Sequence, residues 1–135
     1  MLPRNDLHGG RRAVWALVLV AACALTAGCD RGARSLKLDP ELARTSLSAA
    51  LESWKKGERP AALQDRSPVI TVTDANWESG YKLEKYTVTG DEKNDGTNLH
   101  ITVDLVTRDN KNRPRQSSVT YTVGTSPVIT VSAPE

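Results

Sequence analysis

Asp39-Pro40-Glu41-Leu42-Ala43-Arg44-Thr45-Ser46-Leu47-Ser48-Ala49-Ala50-Leu51-Glu52-Ser53-Trp54-Lys55-Lys56-Gly57 is the clearest helical pattern in the chain. Asp39 is a natural N-cap, Pro40 suits the first helical position, and Glu41 places an acid in the first turn. Ala43, Leu47, Ala50, Leu51 and Trp54 recur at three- and four-residue spacing, which lays one apolar stripe along a helix. Lys55 and Lys56 suit the negative end, Gly57 is a natural C′ residue, and Pro60 prevents continuation. The pattern predicts an amphipathic helix over about 40–56, with one further turn over Pro60 to Gln64.

Beyond Ser67 the composition shifts to Thr and Val, and the period shortens from 3.6 to 2. Val69 to Thr73 reads as a short strand. Tyr81 to Thr89 reads as a second, but its apolar phase slips. Tyr81 and Leu83 share one face, whereas Tyr86 and Val88 share the other, which predicts a β-bulge or a strong bend. Leu99, Ile101, Val103 and Leu105 alternate with His100, Thr102 and Asp104 as in a half-buried strand. Val119, Tyr121 and Val123 do the same, and Val128 to Ser132 closes the chain. Asp95-Gly96, Asp109-Asn110-Lys111-Asn112 and Gly124-Thr125-Ser126-Pro127 supply the turns.

Ser-Pro-Val-Ile-Thr-Val occurs twice, at 67–72 and at 126–131. Nothing else around the copies matches, so they read as two edge or end strands of one sheet, each entered through a proline that cannot donate to a ladder. One amphipathic helix followed by four to five strands buries one helix face on one sheet face. The expected class is therefore α+β, with one N-terminal amphipathic helix on a curved antiparallel sheet of four to five strands.

The chain has 135 residues, 18 Lys and Arg against 16 Asp and Glu, and a formal charge of +2. One domain is the default at this length. Near-balance of charge speaks against nucleic acid as a partner. Two Cys and two His cannot build a disulfide framework or a common four-ligand zinc site.

Charge and hydropathy are uneven along the chain. Arg4, Arg11 and Arg12 precede an uncharged apolar run from Ala13 to Leu25. Thirteen residues fall short of the roughly 20 that cross a bilayer, but fit the apolar stretch of a secretory signal. The run ends Leu25-Thr26-Ala27-Gly28-Cys29. This string resembles a bacterial lipobox, with Leu25, Thr26, Ala27 and Gly28 as the signal-peptidase recognition residues and Cys29 as the lipidated residue. The resemblance implies a signal peptide over 1–28, a diacylglyceryl thioether on Cys29, and palmitate-bearing attachment to a membrane through that residue. Asp30, directly after the anchor, resembles the inner-membrane retention signal of enteric bacteria, though inner and outer membrane both remain open.

Removal of residues 1–28 leaves 107, with 15 basic and 15 acidic side chains and no free thiol. Residues 29–38 read as the anchor and a polar tether, and 39–135 as a single domain. Of the aromatic residues, Trp54, Trp77, Tyr81, Tyr86 and Tyr121 belong to that domain, and most are expected in its core. One helix against such a sheet resembles the cystatin-like and nuclear-transport-factor-two-like shape. It is also similar to small bacterial lipoproteins with a Trp-Lys pair ending the helix, here Trp54-Lys55, and an Asp-x-x-Trp stretch before the second strand, here Asp74-Ala75-Asn76-Trp77. No activity comes with that resemblance.

Residues with chemical potential are sparse. His100 falls on the outward face of its strand with Thr102 and Asp104, and reads as a surface residue. Asp91, Glu92 and Asp95 sit near Gly96, but a calcium loop counted from Asp91 would have Lys93 third and Thr102 twelfth, so key ligands are missing. Cystatins block proteases with Gln-x-Val-x-Gly; the nearest segment, Tyr121-Thr122-Val123-Gly124, lacks the Gln. Two basic clusters, Lys55, Lys56, Arg59 and Arg66, then Arg108, Lys111, Arg113 and Arg115, read as solvated surface that could also meet anionic headgroups or peptidoglycan. The expectation is a lipid-anchored, non-enzymatic binding or scaffolding module of the cell envelope, on the extracytoplasmic, periplasm-facing side, without cofactor or metal. Its partner is expected to be an envelope protein or peptidoglycan, met at the Thr-rich sheet face or the open sheet edge. The alternative is a small-ligand-binding or enzymatic domain with a pocket between helix and sheet, and the third reading is a protease inhibitor.

Overall fold

The computed structural model describes residues 37–135. The segment 1–28 expected to be a signal peptide, the expected recognition residues Leu25, Thr26, Ala27 and Gly28, and the expected lipidation residue Cys29 lie outside the described residues.

Helix α1 spans Pro40–Lys55. The Asp39 carboxylate accepts from the Leu42 N–H at 3.0 Å, satisfying one of the free amides of the first turn. At the other end Gly57 adopts a φ of 83°, its N–H donates to the Trp54 carbonyl, and the Glu58 N–H donates to Ser53. That pair of bonds is a Schellman closure, and only glycine enters its left-handed position without strain. A single 3-10 turn follows over Pro60–Leu63, where one more turn is expected.

Five strands form one sheet: β1 (Ile70–Thr73), β2 (Lys82–Asn94), β3 (Asn98–Arg108), β4 (Pro114–Gly124) and β5 (Ile129–Ser132), in the order β1-β5-β4-β3-β2. The α+β class holds. The wholly antiparallel sheet does not, because β1 and β5 pair parallel. The cause is the path of the chain. From the C-terminal end of α1 it travels back along the domain before β1 begins, while β5 turns back directly from β4; both strands therefore run the same way. The expectation of a single N-terminal helix is also corrected. α1 begins forty residues into the chain, and a second helix, α2 (Ala75–Glu78), fills the Asp-x-x-Trp stretch.

The duplicated hexapeptides lie side by side, with Ile70 against Ile129, Thr71 against Thr130 and Val72 against Val131. The first copy forms the edge strand, as expected; the second lies one strand inward, between β1 and β4. The phase slip in β2 appears as a register shift between Leu83 and Lys85. A second shift lies between Val88 and Glu92, where Gly90 adopts a φ of 85°. Past it the strand resumes pairing to Asn94, which carries it five residues beyond the expected end.

The core lies between α1 and one sheet face. Leu47, Leu51, Trp54, Ile101, Val103, Leu105, Tyr121, Val123 and Val131 are each no more than 2% exposed. Trp54, Trp77 and Tyr121 are buried, and Tyr81 and Tyr86 pack half-buried at the margin. α1 and the sheet give the domain two distinguishable ends. At one, where the chain enters, the Asp39 N–H donates to Thr125 Oγ1 beside the β4–β5 turn. At the other, Trp54 meets the start of β2. β3 covers the length between them with 11 residues, about 36 Å at strand rise.

Candidate functional site

At the end remote from chain entry, α1 and α2 terminate in the same way. Ser79 caps α2, Gly80 turns with a φ of 91°, and its N–H donates to the Trp77 carbonyl while the Tyr81 N–H donates to Asn76. Each helix thus ends Trp-x-x-Gly, as Trp54-Lys55-Lys56-Gly57 and Trp77-Glu78-Ser79-Gly80. The two indoles stack with centroids 5.4 Å apart and planes within 10°. Their N–H groups are exchanged. Trp54 Nε1 donates to the Tyr81 carbonyl at 2.7 Å, and Trp77 Nε1 to the Glu58 carbonyl at 2.8 Å. Each indole therefore satisfies a carbonyl just beyond the other helix, and each polar edge is paired where it is buried.

Asp74 sets α2 in place. One carboxylate oxygen accepts from the N–H groups of Asn76 and Trp77, capping the helix. The other accepts from the Tyr121 hydroxyl at 2.7 Å. Burial, then the Asp74 charge and its hydrogen bond, push the Tyr121 phenol well above its ordinary range, so it stays a donor.

The stacked indoles floor a groove of about 940 Å³ between the end of α1, the 3-10 turn, α2 and the start of β2. Its charges are unequal. Lys55, Lys56, Arg59 and Lys82 are exposed and engage no carboxylate among the described residues. Glu58 is held by Arg66, and Glu84 by Arg108. Among the described residues Glu78 is the one lining acid left without a cation, so the groove is positive inside a domain with 12 basic and 14 acidic side chains. The first basic cluster thus keeps three of its four cations unpaired. The second is largely neutralised: Asp109 takes Arg113 and Arg115, and Arg108 also donates to the Asn112 carbonyl.

The other singled-out residues are dispersed. His100 is half-buried on the sheet face away from α1. It contacts neither Asp104 nor a catalytic-type base; Nε2 meets Asp95 at 2.8 Å and Nδ1 meets Thr122 Oγ1 at 3.2 Å. The Asn98 N–H, the His100 ring and the Thr97 N–H hold the Asp95 carboxyl well below the usual carboxylate range. Nearby, Thr102 and Thr120 hydroxyls bond each other across β3 and β4. This hairpin end borders a shallow hollow of about 590 Å³. The three acids do not converge: Glu92 receives a forked bond from Arg44, Asp95 closes its turn, and Asp91 stands apart. Among the described residues no group of three or more His, Cys, Asp or Glu could hold a metal ion, and no helix is long and apolar enough to cross a membrane. Tyr121-Thr122-Val123-Gly124 lies within β4 with Tyr121, Val123 and Gly124 buried, rather than at a projecting hairpin tip.

Comparison with protein-family models, with curated proteins and with solved structures finds no match to the chain.

Proposed function

We propose that the chain is a bacterial envelope lipoprotein, anchored through an acylated Cys29, whose domain is a non-enzymatic binding module. The observation that carries the anchor is the string Leu25-Thr26-Ala27-Gly28-Cys29 directly after a basic stretch and an apolar run of thirteen residues. Two or three acyl chains hold a protein where one does not, since each buried CH₂ contributes about 0.8 kcal/mol.

Binding is assigned to the surface of the domain. What supports this is the core between α1 and the sheet, whose buried apolar side chains are each no more than 9% exposed. The basic groove is the place where unpaired charge, concavity and a rigid floor coincide. Its ligand is anionic: an acidic segment of an envelope protein, or the carboxylates of peptidoglycan. We propose further that the sheet curves around α1 in the cystatin-like manner; the two register shifts in β2 support this, because bulges raise local twist and bend.

Photo-crosslinking tests the groove. A crosslinker at Lys56 in the intact lipoprotein is expected to capture an acidic envelope component that the same group at Lys111 does not. Equal capture at both positions, or loss of none of it on Lys55→Glu with Lys82→Glu, contradicts the assignment.

A further inference from the structure

The parallel pairing of β1 with β5 has a consequence at the strand entrances. One residue before the ladder begins, each copy of the hexapeptide carries an exposed valine: Val69 is 54% exposed and Val128 60%. Pro68 and Pro127 precede them and are exposed as well. With Val88 these two valines are the exposed large apolar residues of the domain. Scattered singly they would need no explanation. They are not scattered: adjacent strands lie about 4.8 Å apart, so in-register pairing brings both Pro-Val corners together.

The corner sits at the end where the chain enters. Thr125, which accepts from the Asp39 N–H, is two residues from Pro127. Nine residues, 30–38, separate Cys29 from the domain and reach about 30 Å when fully extended. We infer that the paired Pro68-Val69 and Pro127-Val128 corner docks on the surface of the bilayer that holds the lipid of Cys29, an inference that rests on the anchor proposed above. The corner residues themselves carry no charge. The acidic turn at Asp91 and Asp95 lies at the same end of the sheet but toward the opposite edge, with β4 between its hairpin and the β1–β5 pair. A tether this short also keeps the corner at high effective concentration beside the membrane, so a small apolar contact suffices. Docked in this way, the domain turns its basic groove outward, one strand length from the lipid.

The test uses the full chain, lipidated in a bacterial host and reconstituted in vesicles of phosphatidylethanolamine and phosphatidylglycerol containing nitroxide-labelled lipid. Val69→Cys, Val128→Cys and, at the remote β3–β4 turn, Lys111→Cys are each labelled with an environment-sensitive dye. The first two are expected to be quenched at least threefold more strongly than the third. All three positions are exposed, so the fold tolerates them. Equal quenching at the three positions, in protein that carries palmitate on Cys29, overturns the docking and leaves the anchor standing. Protein without palmitate overturns both. Disulfide-linked dimers through Val128→Cys without quenching assign the corner to a second copy of the chain and likewise overturn the docking.

Discussion

Asp109 shows how single residues hold this domain together. Its side chain is 4% exposed, and its two oxygens gather the Lys111 and Arg113 N–H groups and the guanidinium groups of Arg113 and Arg115. The Arg113 N–H is the strongest influence, burial opposes it, and the Arg113 guanidinium and Lys111 N–H add to it; together they bring the carboxyl down to about 2. The unfolded carboxyl, near 3.8, takes up its proton first as pH falls. The contribution of Asp109 is therefore complete above about pH 4 and is lost between about pH 4 and pH 2. A melting series over that range is expected to show a decline that Asp109→Asn lessens. An unchanged slope in the variant would mean that another carboxylate governs the acid limit. At this scale the sequence was legible as turn chemistry: Asp109-Asn110-Lys111-Asn112 marked the reversal. The pairing of His100 with Asp95 was not, because the partner lies across a hairpin turn and in-strand spacing points to Asp104 instead.

Among the elements, α1 was readable to within a residue, because cap, stripe and C′ glycine agree. The helix α2 was not: four residues show no period, and the segment looked like a link between strands. The signal that marks it is the repetition of Trp-x-x-Gly, together with Asp74 three residues before Trp77. Asp74 joins α2 to the core through Tyr121, so Asp74→Ala removes a cap and leaves a buried hydroxyl unpaired. A cap is worth about 1 kcal/mol and an unpaired buried donor about 1–3, for a loss of about 2–4 kcal/mol. Asp74→Asn keeps an acceptor for the cap but offers the Tyr121 hydroxyl oxygen an amide donor in place of its acceptor, and is expected to lose about 1 kcal/mol, the net worth of one hydrogen bond. Urea unfolding of the detergent-solubilised protein measures both. An Asp74→Ala variant within 0.5 kcal/mol of the parent, a bound set by the ~1 kcal/mol worth of a cap, would show that α2 does not depend on Asp74. The hexapeptide repeat was visible as a pair, but its parallel register was not. Nothing local distinguishes a parallel from an antiparallel neighbour when the two strands lie 59 positions apart.

At the scale of the whole domain, the described chain enters at one end, where Asp39 meets Thr125, and the basic groove opens at the other. The groove itself was only half legible. Its cations stood out as a run after the helix, but the floor depends on α2, and the neutralising of the second basic cluster depends on side chains brought together by the β3–β4 turn. An anchored domain with its charged groove turned away from the lipid is suited to holding an anionic partner near the membrane. All of this depends on Cys29 being the point of attachment. Metabolic labelling with palmitate, comparing the full chain with Cys29→Ser and with cells treated with globomycin, tests that most directly. A labelled mature band is expected in the parent, no label in Cys29→Ser, and accumulation of the longer precursor under globomycin. A parent protein recovered soluble and unlabelled would contradict it.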